Sequence, residues 1–365
     1  MSLISARRIY LTEKDNDALS IVCKLFFGWA VRDRFGILNV HSPFEWTTKD
    51  DPILAVPSER LVLSEIVDVR AQAILSEHAN GDVVVSWSGG VDSTAVICAL
   101  LKNGLPTNRL HVVCAESSPE EYPWFYRHLI DSGVRVTVTD KLVITLNEVE
   151  CSVIVNGWCA DQLFGSNIHL RDLTLYNAPW VDALRSMFEQ SRINLSARSY
   201  EYLEAVYTDY AKRLGFPIEQ WCEFAWLFNF GVKWTYVQHD QNLALAGGKN
   251  AGKAVAFFDT QDFQRYSMQR FDRLRERNVN KLNRFYKRQL KQYIYEYTND
   301  SEYFNHKGKR NSWAMVGEDL NQVAVFTESG VRLFRVRGET NGEHFGQLQR
   351  QVGDMFRKRG KDVTG

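Results

Sequence analysis

The residues from Ser86 to Ser93 read Ser-Trp-Ser-Gly-Gly-Val-Asp-Ser and have the composition of a phosphate-binding loop. Gly89 and Gly90 carry no side chains, so the backbone there can approach an anion closely. Ser88 and Ser93 supply hydroxyl donors, and the helix expected to follow would point its positive end at the same place. These residues, together with Ser86, form the predicted phosphate-binding set.

The carboxylate of Asp92 restricts the chemistry of this loop. A carboxylate repels a phosphate unless a divalent cation lies between them, so the loop indicates Mg²⁺ as well as a phosphate ligand. The loop matches neither G-x-x-x-x-G-K-[ST] nor G-x-G-x-x-G, which argues against Walker-type hydrolysis of a terminal phosphate and against a dinucleotide site. The alternative interpretation is a purely structural turn from strand to helix.

The same loop resembles the phosphate loop of the N-type ATP pyrophosphatases, also called PP-loop enzymes. Members of that group bind ATP and cleave it between the α and β phosphates. They include asparagine synthetases, NAD and GMP synthetases, and enzymes that thiolate tRNA. The resemblance implies ATP and Mg²⁺ as cofactors and leaves the acceptor open.

A second motif, residues 153–167, reads Val-Ile-Val-Asn-Gly-Trp-Cys-Ala-Asp-Gln-Leu-Phe-Gly-Ser-Asn. It is similar to the G-A-D-E-L-F-G-G motif of asparagine synthetases, β-lactam synthetase and related cyclases. In that family the aspartates of the two motifs hold Mg²⁺ on the pyrophosphate, which implies Asp92 and Asp161 as metal ligands, Asp161 as a catalytic residue, and Gly157 as part of the nucleotide site. Two carboxylates on one cation would neutralise the departing pyrophosphate. Gln162 replaces the usual glutamate and cannot act as a base or as a charged metal ligand.

Two further segments add to the resemblance. Residues 255–268 are similar to the family's P-F-L-D sequence and following helix, although Gly252 stands where β-lactam synthetase has a glutamate that takes part in its base dyad. Residues 283–313 resemble the terminal family segment, in which a lysine reaches the α-phosphate or the acyl-adenylate. This implies Lys307 or Lys309 as a catalytic residue that offsets charge on the transferring phosphate. For the basic helix as a whole, a solvated surface is the alternative interpretation.

The segments around these motifs predict an α/β fold. A helix is expected over residues 58–81, with Ser58 as a possible cap. Apolar strands then alternate with helices, which is typical of a parallel sheet with helices on both faces and ligands at the carboxyl ends of the strands. The family resemblance implies an adenine nucleotide α-hydrolase-like arrangement. Strands are expected at 82–87, 109–117, 134–140 and 152–157, and helices at 92–102 and 120–133.

The pattern divides the chain into four regions. They are an N-terminal appendage and helix at 1–80, an ATP-binding core at 81–177, a helical lobe at 178–317, and a β-hairpin with a basic tail at 318–365. The hairpin is expected to turn near Ser329 and Gly330. The aromatic side chains of the helical lobe are expected in its core rather than in a base-stacking surface, and they include Trp221, Trp226, Trp234 and Tyr236.

The bulk composition is that of an ordinary globular protein, with 365 residues, 45% apolar and 24% charged. Lys plus Arg and Asp plus Glu both total 44, whereas residues 270–310 hold twelve Lys/Arg against five Asp/Glu. Six scattered cysteines without C-x-x-C spacing argue against a zinc site and indicate free thiols. Without an apolar stretch of membrane-spanning length or an export signal, a cytoplasmic protein with no membrane partner is expected.

These features favour an ATP-dependent ligase that adenylates a carboxylate or carbonyl oxygen and lets ammonia or an amine displace AMP. The chain begins Met1-Ser2-Leu3 without the catalytic cysteine of a glutaminase, so any ammonia is expected from a separate donor. Modification of a nucleic acid base, with residues 270–310 docking phosphates, is an alternative that is not favoured. An inactive ATP-binding regulatory subunit is the other alternative, and Gln162 and Gly252 permit it.

Overall fold

A computed structural model describes residues 3–4, 33–38, 50–164, 173–190, 196–235, 237–238, 248–275, 287–307, 322–327 and 330–335. Lys309, Tyr236 and the last three residues of the second motif lie outside the described residues. The described strands, in chain order, are β1 (Leu3–Ile4), β2 (Val83–Trp87), β3 (Leu110–Ala115), β4 (Arg135–Thr139), β5 (Val153–Asn156), β6 (Ala254–Ala256), β7 (Gln322–Thr327) and β8 (Gly330–Arg335).

Most of the described α-helices follow a strand or lie in the second half of the chain. In chain order they are α1 (Leu63–Glu77), α2 (Val91–Lys102), α3 (Ser118–Glu121), α4 (Pro123–Asp131), α5 (Leu142–Glu148), α6 (Ala160–Phe164), α7 (Trp180–Gln190), α8 (Ala197–Leu214), α9 (Trp221–Phe228), α10 (Gln261–Met268), α11 (Arg288–Thr298) and α12 (Ser301–His306). A π-helix, Asn229–Lys233, continues α9.

Five of the strands form one sheet in the order β4-β3-β2-β5-β6, and every pair in it is parallel. The expected α/β class is therefore confirmed. The chain builds β3 and β4 on one side of β2 and then returns to place β5 on the other side. The strand order thus reverses between β2 and β5, and in open α/β sheets the ligand crevice lies at such a point.

The two faces of this sheet are covered by different parts of the chain. Val83, Val85 and Trp87 point into the main core, which also contains buried residues of α1, α2 and α4. Val84 points the other way and packs with Leu146 of α5 in a second, smaller cluster. Burial on both faces explains why β2 is a continuous apolar run, and it confirms the expected helices on both sides.

Two contributions to the sheet region come from beyond residue 178. The short strand β6 pairs with β5, so the fifth strand belongs to the segment for which the sequence pattern indicates only helices and a connecting motif. Helix α11 packs against α2, which directly follows the phosphate-type loop. The second half of the chain therefore supplies side chains to the carboxyl edge of the sheet.

Several local expectations are also settled. The hairpin is confirmed, because β7 and β8 pair antiparallel, and β1 joins β7 as a third strand. The expected cap at Ser58 is wrong, since α1 begins at Leu63 with Val62 as its N-cap and without a side-chain cap bond. The expected core position is confirmed for the three described aromatic residues Trp221, Trp226 and Trp234, each at most 1% exposed.

Five cysteines lie in the described part of the chain, and all five are free thiols, as expected. Four of them are buried and Cys151 is half-buried. Among the described helices, none combines the length and the apolar character needed to cross a bilayer.

Candidate functional site

The loop between β2 and α2 has the backbone conformation that its glycines permit. Gly89 has φ +74°, in the left-handed region that side chains disfavour. A Cβ at this position would lie 2.5 Å from the carbonyl oxygen of Ser118. Gly90 is the N-cap of α2, so the first N–H groups of that helix face the loop. The loop therefore presents backbone donors where the sequence predicts a phosphate.

The serine hydroxyls hold this loop together. The backbone N–H of Ser88 donates to Oγ of Ser93 at 3.1 Å, and the two hydroxyl oxygens are 3.1 Å apart. Ser93 is buried and Ser88 is exposed. Ser86 is the fourth residue of β2 and pairs in register with Asn156 of β5. The loops that follow the two strands consequently leave the sheet at the same edge, as the sequence predicts.

Gly157 lets the two loops touch. A Cβ at Gly157 would lie 2.8 Å from the backbone nitrogen of Ser93 and 2.9 Å from the Cβ of Asp92. Any side chain there would push the second motif away from the start of α2. The structure therefore gives Gly157 a packing role within the predicted nucleotide site.

The carboxylates of Asp92 and Asp161 converge on one cation, the ammonium group of Lys287. The Nζ atom of Lys287 pairs with both oxygens of Asp92 and lies 2.7 Å from Oδ1 of Asp161. The side chain of Lys287 is 5% exposed, and those of Asp92 and Asp161 are 26% and 32% exposed. Burial by itself would lower the pKa of Lys287, but the charges of Asp161 and Asp92 outweigh burial and raise that pKa.

Lys287 is a site residue that the sequence motifs do not identify. It precedes α11 with φ +52° and ψ +30°, a left-handed conformation that is uncommon for a side-chain-bearing residue. The packing of α11 against α2 brings it to the two aspartates. The only sequence signal was its membership of the basic segment 283–313, which contains several other Lys and Arg residues.

Lys307 belongs to the same basic segment as Lys287 but pairs with a different carboxylate. It follows α12 and forms an ion pair with Glu121, the last residue of α3. Its backbone carbonyl accepts a hydrogen bond from Nζ of Lys291 at 2.7 Å. Burial, reinforced by the nearby cations Lys307, Arg288 and Lys287, lowers the pKa of Lys291 to about 8. The side chains of Lys287, Lys291 and Lys307 therefore point inward rather than into solvent.

Gln162 is used as a neutral hydrogen-bonding group. It is 2% exposed, and its Nε2 donates to Oδ1 of Asn229 at 3.5 Å. Asn229 in turn donates from Nδ2 to the backbone carbonyl of Asp161 at 2.9 Å. Asn229 begins the π-helix, a type of distortion that is often found at functional sites. The pair thus fixes the backbone that carries Asp161.

In the segment 255–268, the carboxylate of Asp259 accepts hydrogen bonds from two side chains. Oδ1 of Asp259 accepts from the indole N–H of Trp234 at 2.9 Å, and its Oδ2 accepts from Gln238 at 2.9 Å. Gly252 has φ +78° and lies in a turn. Because glycine has no side chain, this position offers no carboxylate.

The pair Asp92 and Asp161 fits a magnesium ion in ligand chemistry, because carboxylate oxygens are its preferred protein ligands. Within the described ranges, no group of three or more His, Cys, Asp or Glu side chains could hold a metal ion by itself. Two carboxylates suit Mg²⁺ that arrives with a nucleotide, since this ion usually keeps waters and phosphate oxygens as its other ligands. Comparison with protein-family models and with curated proteins finds no match to this chain.

Proposed function

We propose that this protein is an ATP-dependent ligase that forms an amide through an adenylated intermediate and releases AMP and pyrophosphate. The observation that carries the proposal is the convergence of Asp92 and Asp161, from the first turns of the helices that follow two adjacent parallel strands, on a single cationic position. The proposal includes an asparagine synthetase-like PP-loop relationship and an adenine nucleotide α-hydrolase-like fold. The strand order and the glycine loop support both.

The charges and hydrogen-bond donors of the site define the proposed roles. Backbone N–H groups near Gly89 and Gly90, with the hydroxyl of Ser88, would bind the phosphates. Asp92 and Asp161 would hold Mg²⁺, which supplies charge neutralisation on the departing pyrophosphate when bound. The two carboxylates carry two negative charges, and Lys287 contacts both of them.

The proposed reaction has two bond exchanges. An oxygen of the substrate carboxylate attacks the α-phosphorus, the bond to the bridging oxygen breaks, and pyrophosphate leaves. A nitrogen nucleophile then attacks the acyl carbon, loses a proton, and displaces AMP, which is a far better leaving group than hydroxide. Lys307, close to Gly89 and Gly90 through Glu121, would offset charge on the phosphoryl group. The protein's contribution is positioning and charge stabilisation.

An ATP–pyrophosphate exchange assay with a panel of carboxylic acids tests this proposal. Labelled pyrophosphate should enter ATP in the presence of Mg²⁺ and one class of carboxylate, and AMP should accumulate when an amine or ammonia is added. Absence of exchange with every acid, together with absence of AMP, would contradict the proposal.

The burial of the lysines bears on the nucleic-acid alternative. Lys287, Lys291 and Lys307 all belong to the basic segment 270–310, but their ammonium groups contact carboxylates or a backbone carbonyl inside the protein. Fewer cations of the segment then face solvent for contacts with phosphates. The burial of these three lysines therefore weakens the nucleic-acid alternative. The free thiols support the cytoplasmic setting of the proposed enzyme.

A further inference from the structure

Glu121 is a buried carboxylate beside the phosphate-type loop that no sequence motif identifies. It is the last residue of α3, the short helix after β3, and its side chain is 5% exposed. Its Oε1 pairs with Nζ of Lys307, whose side chain is 9% exposed. A buried ion pair of this kind is a specific arrangement rather than a solvated surface contact.

Glu121 also touches the loop itself. A Cβ built on Gly89 would lie 2.7 Å from the Cβ of Glu121, and a Cβ built on Gly90 would lie 4.0 Å from its Oε1. The ion pair with Lys307 therefore lies directly against the two glycines at which phosphates are proposed to bind. The left-handed conformation of Gly89 is what allows this close approach.

Lys307 is held from several sides in this position. Oε2 of Glu121 is buried without a hydrogen-bond partner, so Lys307 is the one described group that compensates this carboxylate. Departure of the ammonium group would leave a buried charge uncompensated, which is strongly unfavourable. The backbone of Lys307 is fixed by Lys291, and α12 is docked by the rings of Tyr303 and Tyr122, whose centroids are 3.9 Å apart.

We propose that Glu121 is a positioning residue that holds the ammonium group of Lys307 at the loop, so that its remaining N–H donors meet the phosphoryl oxygens of bound nucleotide. An ammonium group has three donors, and the contact with Oε1 requires one of them. The proposal deepens the proposed function and rests on it. It adds two claims, that a carboxylate from α3 fixes Lys307 and that Lys307 is fixed at the nucleotide site.

Acetylation of Lys307 by acetic anhydride, followed by peptide mass spectrometry, tests the fixation. The variants are Glu121→Gln and, as the matched control, Glu120→Gln at the neighbouring exposed glutamate. Glu121→Gln should raise the labelling rate of Lys307 by about tenfold, because the ammonium group is released from its buried carboxylate. Glu120→Gln should leave the rate at the wild-type value. Equal labelling of Lys307 in the wild type and in Glu121→Gln would overturn the proposal.

The location of Lys307 is tested with the ATP analogue AMP-CPP and Mg²⁺. In the wild type, the bound analogue should lower the labelling of Lys307 by at least about threefold, because its phosphates then cover the amine. Calorimetric binding of AMP-CPP without this protection would overturn the proposal. Absence of AMP-CPP binding to the wild type would contradict the proposed function instead. The labelling of Lys307 without nucleotide tests the ion pair with Glu121 by itself, so the two failures can be told apart. If Glu121→Gln does not fold, Glu121→Asp replaces it, and unchanged labelling of Lys307 in that variant would count against the proposal.

Discussion

Lys287 and Asp161 form an ion pair of 2.7 Å that joins the start of α11 to the first turn of α6, the helix after β5. The same ammonium group pairs with Asp92 in the first turn of α2, which follows β2. One lysine from the second half of the chain thus ties together the two motifs that the sequence analysis assigns to the metal and the nucleotide. The elements around it, and not the motifs alone, determine the charge of the site.

Replacement of Lys287 by methionine should lower the free energy of unfolding by about 2–4 kcal/mol, because it leaves two close carboxylates without their shared cation. Millimolar Mg²⁺ should restore part of this loss, since the freed carboxylates gain affinity for a divalent ion. Urea unfolding with and without Mg²⁺ measures both effects. Lys102→Met is the matched control, because Lys102 forms a more exposed ion pair with Asp68, and it should cost less than about 1 kcal/mol. A Mg²⁺ response no larger than that of the control would contradict the expected affinity.

Replacement of Asp92 by asparagine should reduce AMP formation by at least about a hundredfold, because the nucleotide would lose one of its two proposed metal-binding carboxylates. Asp161→Asn should have a similar effect. Initial rates of AMP release, measured on variants whose circular dichroism matches the wild type, report the change. Asp82→Asn is the control, since Asp82 precedes β2 at the opposite end of the sheet and pairs there with Arg135. Comparable losses in all three variants would contradict a specific role of Asp92 and Asp161 in metal binding.

Replacement of Gln162 by glutamate should destabilise the protein by about 1–3 kcal/mol. The new carboxylate would be buried against Oδ1 of Asn229. Turning the amide of Asn229 around would repair that contact but would break the hydrogen bond to the carbonyl of Asp161. Thermal unfolding measures the effect, and Gln190→Glu on the exposed end of α7 is the control. An unchanged or raised melting temperature for Gln162→Glu would show that Gln162 is not needed as a neutral group.

Stability should fall below neutral pH because of His111 in β3. Burial, with a contribution from Arg135, lowers the pKa of His111 to about 4, and its Nε2 is 2.8 Å from the hydroxyl of Thr137. Between the unfolded pKa near 6.5 and the folded pKa near 4, the unfolded state binds a proton that the folded state does not. This contribution to stability is complete above pH 6.5 and is lost as the pH falls toward 4.

Replacement of His111 by glutamine keeps a group that can bond Thr137 but removes the titration. The loss in unfolding free energy between pH 7 and pH 5 should therefore be smaller in His111→Gln than in the wild type, by about 2 kcal/mol. Urea unfolding at the two pH values measures the difference. His128→Gln, on α4, serves as the comparison. If the wild type and His111→Gln lose the same stability, His111 is not the responsible group.

Local sequence patterns were sufficient for four of the five strands of the parallel sheet and for the two loops. Continuous apolar strands between helices are read directly from neighbouring residues, because burial on both faces leaves no polar alternation. The glycines and aspartates of the two motifs are likewise recognised from neighbouring residues. The carboxyl ends of parallel strands meet at one edge of the sheet, so the two motifs lie there together. The strand β6 escaped prediction because three residues are too few to show a period.

What the sequence by itself determined is the α/β class, the position of the glycine loop and the pair of aspartates that follow two buried strands. Only the tertiary structure decided which cations and carboxylates accompany them. Lys287 and Glu121 look like other charged residues of their segments. The packing of α11 on α2, and the close approach of α3 to Gly89, select them. Charge interactions depend on distance and burial, and for residues far apart in the chain both are set by packing.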